Sequence, residues 1–178
     1  MIKISKISII AFIAICLFSC KKENQNSYVK PFIGGWYQYG GSGFASVTMN
    51  DGNSHYIAEL ITHYLRKVNT LSNIVFLENG KGIIHSDSYY GYSDESYFTY
   101  SVTKDGITLI VTNLWLSPNI NLSNEPLFMQ YSFQESGGEQ ILKLIWNITE
   151  YVKIWFKDEE NIQNIANAEV EFAYEKAK

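Results

Sequence analysis

The stretch that decides the fold runs from residue 71 to residue 111 and reads LSNIVFLENGKGIIHSDSYYGYSDESYFTYSVTKDGITLIV. Apolar and polar residues alternate along it with a period of two, which is typical of strands with one buried face. Asn79-Gly80 tolerates the positive φ angles of a tight hairpin turn, and Lys104-Asp105-Gly106 separates the next two alternating segments. The stretch therefore predicts four antiparallel strands, at 71–77, 82–90, 97–103 and 107–115.

The same pattern continues on both sides of this stretch. Five further alternating segments lie at 35–39, 44–49, 127–133, 141–148 and 151–157. Aromatic residues make up 15% of the chain, and this fraction suits strands because aromatic rings pack well across a pleated face. Nine strands joined mainly by tight turns predict a mostly β fold. We expect an antiparallel up-and-down meander that closes on itself, because closure removes exposed strand edges.

Two segments depart from the alternation. In the first, Ile57, Leu60 and Ile61 begin an apolar stripe with helical spacing, which predicts an inserted helix near 55–68. In the second, a weaker stripe runs from Ile162 to Phe172. Acidic residues precede this stripe and lysines follow it, as the helix dipole favours. The second segment predicts a C-terminal helix near 159–176.

The first twenty residues have the organisation of an export signal. Two lysines are followed by ten uninterrupted apolar residues from Ile9 to Phe18, too few to span a bilayer but typical of a signal peptide. Leu17-Phe18-Ser19-Cys20 follows and resembles the lipobox of bacterial lipoproteins. The resemblance implies a signal peptide over 1–19 and a Cys20 thiol that carries a diacylglycerol as a thioether. It implies a lipid-anchored protein of the cell envelope, which we expect in the outer membrane.

The remaining chain divides into a short polar segment and a globular domain. Residues 21–27 are polar and without periodicity, so we expect a lipidated tether over 20–31 and a folded domain over 32–178. Cys16 is lost with the signal and Cys20 carries lipid, so no disulfide is expected. Cleavage before Cys20 leaves 12 basic and 18 acidic residues, a net charge of −6. Such an acidic domain is not expected to bind nucleic acid.

A second resemblance begins at Gly34-Gly35-Trp36, which is similar to the Gly-x-Trp signature of lipocalins. Together with the segments 74–82 and 97–109, it makes the chain look like the small lipocalin-like lipoproteins of Bacteroidota. The resemblance implies a lipocalin-like barrel with a central cavity and with Trp36 at its closed end. In that family a late basic residue, often Arg, usually stacks on this Trp. No Arg lies in the last predicted strands, so Lys153 or Lys157 would take its place.

Two hypotheses for function follow. In the first, the barrel holds a small apolar or amphipathic ligand in a cavity lined by aromatic side chains, namely Phe76, Phe98, Tyr100, Tyr131 and Trp146. In the second, the interior is filled and the domain is an interaction module. This module would contact a protein or glycan through a turn rich in exposed phenols, at Tyr89, Tyr90 and Tyr92.

The residue pattern does not favour an enzyme. The three histidines are His55, His63 and His85, and no His-x-x-x-His pattern, carboxylate cluster or cysteine accompanies them. His85, Ser86 and Asp87 contain the residue types of a triad, but neighbouring strand residues point to opposite faces and cannot converge. We therefore expect no catalytic site, no metal and no cofactor.

Overall fold

The structure of the protein, a computed structural model, describes residues 25–39, 43–50, 55–68, 71–87, 93–117, 120–158 and 162–178. The helices are α1 (Gln25–Val29), α2 (His55–Val68) and α3 (Thr149–Trp155), with a short 3-10 turn at Ile162–Asn164. The strands are β1 (Gly34–Gln38), β2 (Phe44–Met49), β3 (Asn73–Phe76), β4 (Lys81–Asp87), β5 (Ser93–Val102), β6 (Ile107–Val111), β7 (Trp115–Ser117), β8 (Ile120–Asn121), β9 (Pro126–Ser136), β10 (Glu139–Asn147) and β11 (Ile165–Lys176).

Nine of the strands form one antiparallel sheet, in the order β1-β3-β4-β5-β6-β9-β10-β11-β2, and β7 and β8 pair separately. Strand β1 also pairs with β11, so hydrogen bonds close a ring through eight strands. Strands β1 and β2 lie along the same edge of β11, since Trp36 pairs with Lys176 and Ala45 pairs with Val170. The mostly β, antiparallel fold class is confirmed, but the simple up-and-down meander is wrong for one strand, because β2 pairs with β11 and not with β1 or β3.

The ring has two ends, because successive strands run in opposite directions. At one end β1 begins, β11 finishes, and tight turns join β3 to β4, β5 to β6 and β9 to β10. We call this the Trp36 end. At the other end lie the longer connections, which carry α2, the β7–β8 pair and α3. We call this the α2 end.

Apolar side chains from every strand of the large sheet form one buried core. Strand β5 shows how the sequence divides between the two faces. Phe98, Tyr100 and Val102 are buried, whereas the alternate residues Tyr97, Thr99 and Ser101 are exposed. This division follows from the period of two of an extended strand, and it agrees with the predicted alternation.

The inserted helix predicted near 55–68 is confirmed as α2. Its side chains Ile57 and Ile61 are buried in the core, and the helix packs against β2 and β7. Thr62 Oγ1 accepts a hydrogen bond from the amide of Ala45 at 3.0 Å, which satisfies a backbone group of β2. Helix α2 therefore adds apolar side chains to the core at the end opposite Trp36.

In the described part of the chain, no helix combines the length and the apolar character needed to cross a membrane.

The C-terminal helix predicted near 159–176 is wrong, because Ile165–Lys176 forms the long strand β11. Ala168, Val170, Phe172 and Tyr174 are all buried and recur with a period of two. Strand β10 pairs with one edge of this segment, and β1 and β2 pair with the other. These ladders satisfy the backbone on both edges, so tertiary pairing outweighs the weak helical stripe.

The ninth strand predicted at 151–157 is also wrong, because this region forms α3. Val152 and Phe156 are buried and lie four residues apart, as on one face of a helix. Asn147 Oδ1 accepts the Thr149 amide hydrogen at 3.1 Å, which supplies a partner for a free backbone donor at the start of the helix. Helix α3 thus connects β10 to β11 across the α2 end.

Candidate ligand site

Trp36 is fixed at its end of the ring by a hydrogen bond and a cation–π contact. Its indole Nε1 donates to the carbonyl oxygen of Phe32 at 2.6 Å, and its side chain is almost completely buried. Lys176 Nζ lies 5.1 Å from the centroid of the Trp36 ring and donates to Pro31 O at 3.4 Å. An ammonium group over an aromatic face is attracted by the ring quadrupole.

The basic residue beside Trp36 is therefore Lys176, and the expectation of Lys153 or Lys157 is wrong. Lys153 lies on α3, where its Nζ pairs with Glu150 Oε1 at 3.3 Å, and Lys157 is exposed just after that helix. The reason is the register of the last strand. Strand β11 ends at Lys176, which sits directly opposite Trp36 across the β1–β11 ladder.

An aromatic cluster fills the interior at the Trp36 end, and Phe32 lies at its centre. The Phe32 ring centroid is 5.4 Å from that of Phe76, 4.9 Å from that of Tyr131 and 5.0 Å from that of Phe133. All three pairs meet edge to face, a favourable arrangement for the ring quadrupoles. Phe32 has no exposed surface. The chain thus places its own side chain among residues that were expected to line a cavity.

The structure brings together four of the five expected ligand-lining residues. The Phe76 centroid lies 5.4 Å from that of Phe98 and 5.0 Å from that of Tyr100, and Tyr131 joins the group through Phe32. The two phenols are hydrogen-bonded at the edge of the cluster. Tyr100 Oη donates to the carbonyl oxygen of Leu77 at 2.7 Å, and Tyr131 Oη donates to that of Thr103 at 3.1 Å.

The electrostatics of these phenols suit their donor role. Burial, followed by the nearby carboxylate of Glu78, raises the pKa of Tyr100. Burial, followed by the neighbouring Tyr28, raises the pKa of Tyr131. Both groups therefore stay protonated at neutral pH and continue to donate to the backbone carbonyls of the turns.

Trp146, the fifth expected residue, lies apart from this cluster. It is buried on β10 opposite Val170 of β11, and its ring centroid is 5.6 Å from that of Tyr151 in α3. Its position is toward the α2 end. The interior therefore has two halves, one around Phe32 and one that includes Trp146 under the helical connections.

Sequence reasoning missed two residues that complete the interior. Tyr174 is fully buried, its Oη donates to Leu71 O at 2.8 Å, and burial raises its pKa. The helical interpretation of the C-terminus left Tyr174 out of the predicted core, although the alternation from Ala168 to Tyr174 is typical of a strand. Phe32 was placed at the edge of the tether, although it stands only four residues before Trp36.

The phenols Tyr89, Tyr90 and Tyr92, expected to contact partners, lie outside the described residues. The strands that flank them are described, and His85 Nδ1 of β4 lies 3.4 Å from Glu95 Oε1 of β5. Tyr97 Oη donates to Glu95 Oε2 at 3.3 Å. An outer groove of about 450 Å³ crosses the outer face of β4, β5 and β6. Leu77, Tyr97 and Ile110 are exposed along this groove.

Within the described ranges, no group of three or more His, Cys, Asp or Glu side chains is placed to hold a metal ion. Comparison with known proteins adds no relative: no family model, no curated protein and no solved structure matches the chain.

Proposed function

We propose that this chain is a lipid-anchored envelope protein whose domain, a lipocalin-like barrel, binds a small apolar or amphipathic molecule. The observation that carries the proposal is the ring of strand pairings around one apolar interior. Phe32, Trp36 and Lys176 close one end of this interior, and α2 packs against β2 and β7 at the other end. In this proposal the ligand enters at the end that carries the long connections, because the Trp36 end is fixed by its contacts.

The proposed anchor is supported by the sequence around Cys20. The apolar run and Leu17-Phe18-Ser19-Cys20 have the order that lipidation requires, and the chain has no cysteine after position 20. Two or three acyl chains on one residue give stable membrane attachment, because each buried CH₂ contributes about 0.8 kcal/mol. We propose that the mature protein begins at Cys20 and resides in the outer membrane.

The ligand is proposed to occupy the half of the interior that includes Trp146. Phe32 already fills the other half, whereas the Trp146 half is covered by helices. Apart from hydrogen-bonded aromatic residues, Ser72 and Thr149 are the only polar side chains buried among the described residues, and none of the buried side chains is charged. Since an unpaired charge is costly in such surroundings, the ligand body should be uncharged and any charged head should stay at the α2 end.

A titration with paired variants tests this function. The mature chain should bind a fluorescent fatty-acid analogue saturably with a micromolar constant, roughly −8 kcal/mol. Trp146→Ala should weaken binding by about tenfold, a loss of about 1.4 kcal/mol. Tyr100→Ala, in the filled half, should instead lower the free energy of unfolding by about 3 kcal/mol and leave affinity nearly unchanged. Absence of saturable binding by the unaltered chain would overturn the proposal.

A non-enzymatic interaction module is the second candidate, and the outer groove is the observation that favours it. Leu77, Tyr97 and Ile110 expose apolar surface there, next to the strands that lead to the tyrosine-rich segment. Exposed aromatic surface of this kind suits contact with a protein or glycan. If this candidate is right, Tyr97→Ala should abolish partner binding and leave the fatty-acid titration unchanged.

A further inference from the structure

We infer that the Trp36 end of the domain faces the membrane and that the α2 end faces the aqueous phase. The inference rests on the proposed lipidation of Cys20, and it concerns the surface that meets the lipid headgroups. Three observations support it: the place of α1 in the fold, the number of residues before α1, and the distribution of charge between the two ends.

Helix α1 is held at the Trp36 end. Tyr28 and Val29 pack against the core, although α1 lies within the stretch 20–31 that was expected to be a tether. The Phe32 amide donates to the carbonyl oxygen of Val29 at 2.9 Å. The carbonyl oxygen of Phe32 in turn accepts the hydrogen bond from Trp36 Nε1. Val29 also lines a groove with Glu78 of the β3–β4 turn. The chain therefore enters the fold at this end.

The chain before α1 is too short to invert the domain. Cys20 and Gln25 are five residues apart, and five extended residues span at most about 18 Å. Strand β9 alone, Pro126–Ser136, is about 34 Å long, which is still about 25 Å in height at a tilt of 45°. An anchor at Cys20 therefore cannot place the α2 end on the bilayer while the Trp36 end points away from it.

Charge distribution favours the same orientation. At the Trp36 end five lysines balance five carboxylates: Lys30, Lys81, Lys104, Lys176 and Lys178 against Glu78, Asp105, Glu135, Glu139 and Glu175. Among the described side chains at the α2 end, six carboxylates outnumber two lysines: Glu59, Glu95, Glu125, Glu150, Asp158 and Glu169 against Lys153 and Lys157. An anionic membrane surface repels the α2 end more strongly than the neutral end.

This orientation predicts the side from which a ligand or a partner reaches the domain. The connections at the α2 end then face the aqueous phase, so an apolar ligand that enters there arrives from solution or from a second protein rather than directly from the bilayer beneath. The connection between Asp87 and Ser93 also leaves the sheet at the α2 end. The membrane-facing surface consists of three hairpin turns, α1 and the end of β11.

Two labelled variants test the orientation. Lys104→Cys lies in the β5–β6 turn at the Trp36 end, and Lys157→Cys lies just after α3 at the α2 end; both lysines are exposed. In the lipidated protein Cys20 is blocked as a thioether, so each variant carries one free thiol. Each is labelled with a fluorophore and bound to vesicles of zwitterionic and anionic phospholipid that contain a headgroup-attached nitroxide quencher. We expect several-fold stronger quenching of the label at position 104.

Each outcome decides a separate point. Equal quenching of the two labels, or stronger quenching at position 157, would overturn the orientation while leaving the anchor intact. Failure of both proteins to float with vesicles would overturn the anchor itself and the orientation with it. Insertion of twelve Gly and Ser residues between Asn24 and Gln25 supplies a second measurement. It should reduce the difference between the labels, because the tether would then be longer than the domain is high.

Discussion

At the residue scale, Trp36 makes the contacts that close one end of the ring. It combines an indole hydrogen bond to Phe32 O, a buried ring and the ammonium group of Lys176 over one face. The identity of Trp36 as a structural residue could be predicted from Gly34-Gly35-Trp36. Its partner Lys176 could not, because a cross-strand partner depends on the register of a strand 140 residues later.

The contribution of Trp36 can be measured by truncation. Trp36→Ala should lower the free energy of unfolding by about 3–5 kcal/mol, the usual range for a buried aromatic side chain changed to alanine. Trp36→Phe keeps a ring but loses the 2.6 Å hydrogen bond, so a smaller loss is expected. Denaturant unfolding of both variants checks the order. A loss below about 1 kcal/mol for Trp36→Ala would mean that this end of the ring does not depend on Trp36.

Tyr174 gives the fold a pH dependence with a definite sign. Burial raises the pKa of its phenol above the ordinary value of 10.0, whereas in the unfolded chain the group titrates near that value. Its contribution is therefore complete below about pH 10 and is lost as pH rises toward the folded pKa. Between pH 10 and 11.5 the unaltered chain should lose up to about 1.4 kcal/mol of stability per pH unit more than Tyr174→Phe. Parallel unfolding curves for the two proteins would contradict this.

At the element scale, the central hairpins follow from local signals and the last element does not. Gly80 has a φ of 74°, and the Lys81 amide donates to Asn79 Oδ1 at 3.1 Å, so the Asn-Gly signal corresponds to a real turn. The segment 165–176 carries both an apolar period of two and a weak helical stripe. Pairing with strands distant in sequence chooses between them, and a single-sequence pattern does not contain that information.

Thr149 joins two elements that sequence analysis assigned wrongly. Its Oγ1 accepts the Ala168 amide hydrogen at 2.8 Å, which ties the start of α3 to β11 in a buried position. Thr149→Val keeps the shape but leaves this amide without a partner, so unfolding should become easier by about 1–3 kcal/mol. Thr99→Val, at an exposed position on β5, is the matched control and should change stability little. Equal changes in the free energy of unfolding for the two variants would show that the Thr149–Ala168 hydrogen bond does not stabilise the fold.

At the scale of the whole molecule, the sequence predicted eight of the nine strands of the large sheet and their antiparallel pairing, but not β11 and not the pairing of β2 with β11. Closure depends on β1 meeting β11, and the position of β11 was the part that local pattern did not reveal. The meeting of four residues that were expected to line a cavity could also be predicted. Phe76, Phe98, Tyr100 and Tyr131 do meet inside the ring. Phe32 occupies the space between Phe76 and Tyr131. Its role depends on how the chain passes beneath Trp36, which the sequence pattern does not reveal.

The central claim, a lipid-anchored container, is tested most directly by mass spectrometry of the protein extracted from its own membranes. The denatured chain should have the mass of residues 20–178 plus a diacylglycerol and, where present, one more acyl group. Under native conditions one additional small apolar molecule per chain should remain bound. Cys20→Ala should abolish the lipid mass and the membrane association. An unlipidated mass for the unaltered chain, or a native mass without any bound molecule, would contradict the anchor or the container respectively.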